Sequence, residues 1–243
     1  MRANVLNVFL IHQEPEVCRR LIDRASIVAD TANLLVAYGG NINGFENIDY
    51  EPKVFIKDSR LRTRDHQRET QSYTEIFRSA VKWMQERRFE FVHFFEYDHL
   101  PLAADLNAKQ VERLRQENAD VLGYHLARVD DTSHPHFLQH AAFPEFASFL
   151  RSLSLRSDPR VVLSMLLTGS FWTRDAFEKT AEVREPFPIY MELFLPTVAH
   201  HLGYRLRDYG QQNRFVLPRG NLSRRIHEAQ RAGAWTLHPV KDI

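Results

Sequence analysis

Short apolar runs alternate with stretches of helical spacing from the N-terminus onward. Val5–Ile11 reads as a first strand, and Glu14–Asp30 carries Val17, Leu21, Ala25 and Val28 at roughly helical spacing. Asn33–Tyr38 reads as a second strand, stopped by Gly39 and Gly40. A polar loop with Asn41, Asn43, Gly44 and Asn47 follows, then a short third strand at Lys53–Lys57. Thr70–Arg87 is strongly amphipathic, with Tyr73, Ile76, Phe77, Ala80, Val81 and Met84 on one side. The next run, Phe89–Phe95, is too apolar for an edge strand and ends in Glu96 and Asp98. Strands alternating with helices over short connections predict an α/β fold: a Rossmann-type, mainly parallel central sheet flanked by helices.

The second part of the chain is patterned less evenly. Leu106–Asn118 reads as a helix and Asp120–His125 as a strand. Asp130–Phe146, rich in His, Pro and Phe, reads as irregular. Arg160–Leu167 is another apolar run, and Arg174–Glu182 reads as a helix. Ile189–Leu202 reads as a helix ended by Gly203, and Tyr204–Tyr209 as a last short strand. The tail from Arg219 is basic, then apolar, and carries His238-Pro239-Val240-Lys241. No linker cuts the chain, which predicts a single domain over 1–243, and no repeat or low-complexity tract is visible.

Composition narrows the picture by exclusion. The 243 residues, 44% hydrophobic and 26% charged, suit a soluble globular protein with one sizeable core. A net charge of +1 gives no global field for nucleic acid. The single cysteine, Cys18, excludes an internal disulfide, fits a reducing compartment and sits in a helical pattern as a packing residue. No secretory signal or membrane span is visible, since the first apolar run is too short for either. A cytoplasmic location is expected, with at most a peripheral contact to a membrane.

Candidate chemistry begins with the acids. In an extended chain residues i and i+2 point the same way, so Glu96 and Asp98 would face one spot at the carboxyl end of a buried strand. Open α/β sheets place ligands there. Two hard oxygen donors suit Mg²⁺ or Mn²⁺ and leave room for substrate phosphates. A second element is Thr168-Gly169-Ser170-Phe171-Trp172, read as a strand–turn–helix. Gly169 would let backbone approach a ligand and Trp172 would offer an aromatic plate to a sugar; a core Trp with Thr173 as N-cap is the plainer alternative. Glu192 lies in a strongly apolar helix start, where burial would raise its pKa and suit a general base. His238 and Lys241 offer an imidazole for a metal and a point charge for phosphate.

In this order, these elements resemble the nucleotide-sugar-dependent glycosyltransferases of the GT-A superfamily over most of the chain. The resemblance implies that Glu96-Tyr97-Asp98 corresponds to the Asp-x-Asp metal motif, with Glu in the first place. It implies a metal held by Glu96, Asp98 and His238, a catalytic base at Glu192, and a sugar and acceptor pocket at Gly169, Ser170 and Trp172. Donor contacts would come from His12, Gln13, Gly39, Asp58, Arg60, Arg62 and Lys241. Residues 1–105 would form the nucleotide and metal half, and residues 106–243 the acceptor half with its tail. The implied activity is metal-dependent transfer from a nucleotide-diphosphate sugar to an acceptor hydroxyl, favouring inversion because Glu192 is present. The acceptor would be a glycan, a lipid-linked molecule or a small molecule, with no nucleic-acid partner. A sugar nucleotidyltransferase is the alternative enzyme, although Ile11-His12-Gln13-Glu14-Pro15 has no glycine where those enzymes carry a Gly-rich loop. A noncatalytic nucleotide- or carbohydrate-binding protein is the other alternative. The Asp130, Asp131, His134, His136 and His140 segment matches no zinc spacing and reads as an acceptor-recognition loop. A solvated helix face is the plainer alternative for Arg60–Arg68, and for the Arg219, Arg224, Arg225 and Arg231 cluster it is the plainer alternative to contact with an anionic lipid or acidic glycan.

Overall fold

The computed structural model describes residues 4–28, 33–62, 73–154, 158–217 and 225–241. Its centre is a seven-stranded sheet in the order β3-β2-β1-β4-β7-β6-β8. The strands are β1 Val5–Ile11, β2 Leu34–Tyr38, β3 Lys53–Phe55, β4 Phe91–Glu96, β6 Val121–Arg128, β7 Leu163–Thr173 and β8 Leu206–Asp208. Neighbours pair in parallel except where β7 runs antiparallel to both β4 and β6. β1, β2 and most of β4 are buried throughout, which accounts for their unbroken apolar runs. The mainly parallel central sheet flanked by helices anticipated from the sequence is the one observed.

The amphipathic helices cover the sheet. Pro15–Ala25 buries Cys18, Leu21, Ile22 and Ala25 beneath β1 and β2. Tyr73–Met84, Arg174–Glu182 and Met191–His201 join the larger core with Val92, Phe94 and Trp172. Stacked Phe77 and Phe177, with ring centroids 4.3 Å apart, lock two of these helices together. Cys18 is fully buried and its thiol is pushed up to about 12, chiefly by burial. Among the described residues no helix is long and apolar enough to cross a membrane.

Four local expectations are corrected. The Asn41–Asn47 loop contains a short helix, Ile42–Glu46, whose Gly44 N–H is accepted by the Asn41 side chain at 2.7 Å. The segment expected to be irregular forms helices at Pro135–Ala141 and Pro144–Leu153. Each opens on a proline, which lacks only an N–H that a first helical turn leaves unbonded anyway. The Thr168–Trp172 stretch is strand, not turn, and the helix begins only after Thr173. Finally, two strands had no counterpart in the sequence pattern: β5 Leu100–Pro101 and β9 Thr236–Leu237 pair antiparallel, returning the C-terminal segment to the end of β4.

Candidate active site

β4 ends at Glu96, where the chain turns and the His99 N–H donates to the Glu96 carbonyl at 3.0 Å. The acids are therefore joined by a turn and not by extended chain, so the alternation argument for a shared direction does not hold. Glu96 Oε1 accepts a 2.6 Å hydrogen bond from the Tyr73 hydroxyl, and its N–H donates to Thr168 Oγ1 at 3.0 Å. Asp98 is buried and turns toward the C-terminal segment. There the Val240 N–H donates to its carbonyl at 2.8 Å, and His238 Nδ1 lies 3.4 Å from its Oδ1.

The electrostatics follow from this packing. Burial raises the Glu96 carboxyl to about 7, with the Asp98 charge adding to the rise and the Tyr73 hydrogen bond opposing it. Glu192 stands in the first turn of Met191–His201 and is also raised to about 7 by burial, against hydrogen bonds from Tyr190 and the Leu167 backbone. The charge of Glu192 is felt at Glu96, so the two carboxyls share one neighbourhood. A carboxyl that exchanges its proton near neutrality can act as a general base. His99 is buried beside Tyr124 and His238, held neutral by burial and by its imidazole neighbours.

A divalent ion is tested by what the donors do. Asp98 Oδ1 and His238 Nδ1 are buried, adjacent and without hydrogen-bond partners. The carboxylate oxygen suits Mn²⁺ or Mg²⁺, and the imidazole nitrogen suits the softer Mn²⁺ of the two. Glu96 is held toward Tyr73 instead, and among the described residues no group of three His, Cys, Asp or Glu is arranged for a metal. Of the three expected ligands, Asp98 and His238 meet directly, while Glu96, within electrostatic reach of both, has its Oε1 engaged by Tyr73.

The remaining candidates divide sharply. Trp172 is fully buried against Phe77 and donates its indole N–H to Ser170 Oγ at 2.8 Å, so neither it nor the fully buried Ser170 presents a surface to a sugar. Thr173 caps the following helix, its side chain accepting from the Ala176 N–H. Gly169 has φ +81°, and a Cβ there would lie 2.4 Å from His99 Cε1 and 2.7 Å from Tyr124 Cε2. Its missing side chain makes room for two rings, not for a ligand. At Gly39 a Cβ would meet the Leu61 side chain at 3.1 Å. His12 and Gln13 lie just past β1, with the His12 ring edge-on to Tyr97 at 5.0 Å and the Gln13 carbonyl accepting from the Tyr38 hydroxyl at 3.1 Å. Asp58 and Arg60 grip each other bidentately, Nε–Oδ1 at 3.0 Å and Nη2–Oδ2 at 2.6 Å, which also raises the arginine pKa. The Arg62 side chain, residues 63–72, Arg219 and Arg224 lie outside the described residues. Lys241 is exposed directly after Val240. In the middle segment Asp130 pairs with Arg128, and His140 Nε2 accepts the Tyr190 N–H at 3.0 Å. His140 so caps the helix that presents Glu192.

Two site residues escaped the sequence reading although the pattern held them. Arg24 donates to the Tyr97 carbonyl, and its charge interacts with Asp98 while burial lowers it to about 10. It follows Val17 and Leu21 and precedes Val28 at helical spacing, an arginine on an apolar stripe. Tyr73 lies on the inner side of its helix, where a buried hydroxyl needs a partner.

No protein-family model and no curated protein matches the chain. Similar solved structures include a glycosyltransferase involved in glycosylation of the major capsid of PBCV-1, at 11% identity over 97% of this chain and 94% of that one, with a TM-score of 0.48. The mannosyltransferase PcManGT from Pyrobaculum calidifontis, in complex with GDP-Man and Mn²⁺, is 12% identical over 87% of this chain and 56% of that one, with a TM-score of 0.45. The bifunctional IspDF from Campylobacter jejuni is 12% identical over 87% of this chain and 51% of that one, with a TM-score of 0.46. The chain spans about half the length of the latter two. The likeness is one of chain layout alone.

Proposed function

We propose that the chain is a metal-dependent glycosyltransferase that moves a sugar from a nucleotide-diphosphate donor to an acceptor hydroxyl. The observation that carries this is the meeting of His238 Nδ1 with Asp98 Oδ1, 3.4 Å apart and each atom without a hydrogen-bond partner, beside a Glu96 whose pKa is raised. Asp98 and His238 would hold Mn²⁺ or Mg²⁺, with donor phosphates completing its shell. The metal would supply charge neutralisation for the departing diphosphate. Glu192, half-buried with its pKa near neutrality, is the group to take the acceptor proton in an inverting displacement. His12, Gln13, Arg60 and Lys241 border the same edge of the sheet and are proposed donor contacts. Tyr73 and Thr168 fix Glu96 from two sides.

The test is release of nucleoside diphosphate from UDP-, GDP-, ADP- and TDP-sugars with Mn²⁺, with and without a chelator. Asp98→Asn should fold normally and lose turnover on the order of a hundredfold or more. Unchanged turnover in that variant removes the site. Release of pyrophosphate from a nucleoside triphosphate and a sugar phosphate would instead make the chain a nucleotidyltransferase. Binding of donor without release would make it a noncatalytic binder.

A further inference from the structure

A groove of about 570 Å³ runs between the helix Leu106–Gln116 and the turn that follows β8. Along its helix wall stand Lys109, Glu112, Arg113 and Gln116, spaced so that they share one helix face. Its floor is Tyr209 and the half-buried ring of Trp235. The Tyr209 ring is held through its hydroxyl and Trp235 through its main chain. The Tyr209 hydroxyl donates to the Gly169 carbonyl at 3.1 Å and accepts from Gln110 Nε2 at 3.1 Å. The Trp235 backbone N–H donates to Gln212 Oε1 at 3.0 Å, and its carbonyl accepts from the Leu102 and Ala103 N–H groups. The two rings meet edge to face at 6.1 Å.

The chemistry of the wall selects the ligand. Lys109 is ion-paired with Asp105, and Arg113 is paired with Glu117 at 2.8 Å, so the cations are already answered and no field invites a phosphate. Gln116 and Glu112 present planar polar heads, linked at 3.0 Å. Arg113 Nε is buried with no hydrogen-bond partner. Gly210, at φ +62°, stands across from it, and a Cβ there would meet only Arg113 Nη2, at 3.6 Å. Donors and acceptors of this fork-like kind beside the half-buried Trp235 ring match the vicinal hydroxyls and apolar C–H face of a pyranose. The volume falls in the range of small-molecule sites.

We infer that this groove is a binding site for a neutral oligosaccharide, separate from the acid corner. The two sites are divided by the Tyr209 and Tyr124 rings, 4.3 Å apart, with His99 on the far side of Tyr124. The inference goes beyond glycosyl transfer and does not need it: a noncatalytic chain would bind here equally.

The test is titration of the full chain with maltotetraose, cellotetraose, mannotetraose and chitotetraose, read by tryptophan fluorescence and calorimetry. At least one should bind saturably. Trp235→Leu should weaken that binding roughly tenfold or more. Since a half-buried indole also supports packing, Gln116→Ala on the exposed wall is the second variant, expected to weaken binding several-fold with an unchanged melting temperature. Asp98→Asn should bind the tetrasaccharide as the parent does. Absence of saturable binding to all four, binding that neither groove variant alters, or tighter binding of a sulfated tetrasaccharide than of any neutral one would overturn the assignment.

Discussion

The end of β4 and the middle of β7 are adjacent in the sheet, and both carry sequences that invite a functional reading. They have opposite fates. β4 runs parallel to β1, so its carboxyl end opens at the edge where a doubly wound sheet receives ligands. β7 runs antiparallel, with Val92 opposite Trp172 and Phe91 opposite Thr173. Its carboxyl end therefore lies at the far edge, among the helices of the core. What reaches the acid corner from β7 is Thr168, whose hydroxyl accepts the Glu96 N–H. An apolar run followed by a polar turn and a helix looks the same in sequence whichever way the strand points. Strand direction decides which end of it can meet a ligand.

That contrast can be broken by substitution. The largest effect is expected at Trp172, where replacement by alanine should cost about 3–5 kcal/mol in denaturant unfolding, as for other large core side chains. A stable Trp172→Ala chain with weakened sugar binding would return the ring to the site. Gly169→Ala should cost about 2–4 kcal/mol, since a Cβ would press on the His99 and Tyr124 rings at a left-handed backbone. A His99→Ala background should relieve part of that cost, and strict additivity in the double-mutant cycle would deny the contact.

Glu192 sharpens the comparison through pH. Its folded-state pKa of about 7 lies above the ordinary value of 4.5, so the folded protein binds the extra proton between them. Its contribution to stability is then full below the ordinary pKa and is lost as pH rises through about 7. Glu192→Gln should accordingly gain about 1–3 kcal/mol over the parent at pH 8 and little at pH 4. Equal melting temperatures for the two chains at both pH values would show that the carboxyl is not strained by burial. The smallest effect is expected at Thr173, where loss of the helix cap in Thr173→Ala should cost about 1 kcal/mol with no change in ligand binding.

Much of the fold was legible because local physics fixed it. The apolar runs of β1, β2 and β4 and the stripes of Tyr73–Met84 and Arg174–Glu182 are periodic signals that tertiary contacts did not override. Legibility failed where one residue type serves opposite purposes. Pro135 and Pro144 start helices rather than break them, and Gly169 yields space to a ring rather than to a substrate.

By itself the sequence determined which segments are buried, which helices face the sheet, and that an acidic pair follows a core strand. Side-chain periodicity and burial cost act over a few residues and leave their imprint in the chain. Only the tertiary structure decided that β7 is reversed, that Tyr73 reaches Glu96, and that the short β5–β9 pairing carries His238 back to Asp98. Those outcomes depend on hydrogen bonds between residues far apart in the chain, and no local pattern encodes the partner of a strand.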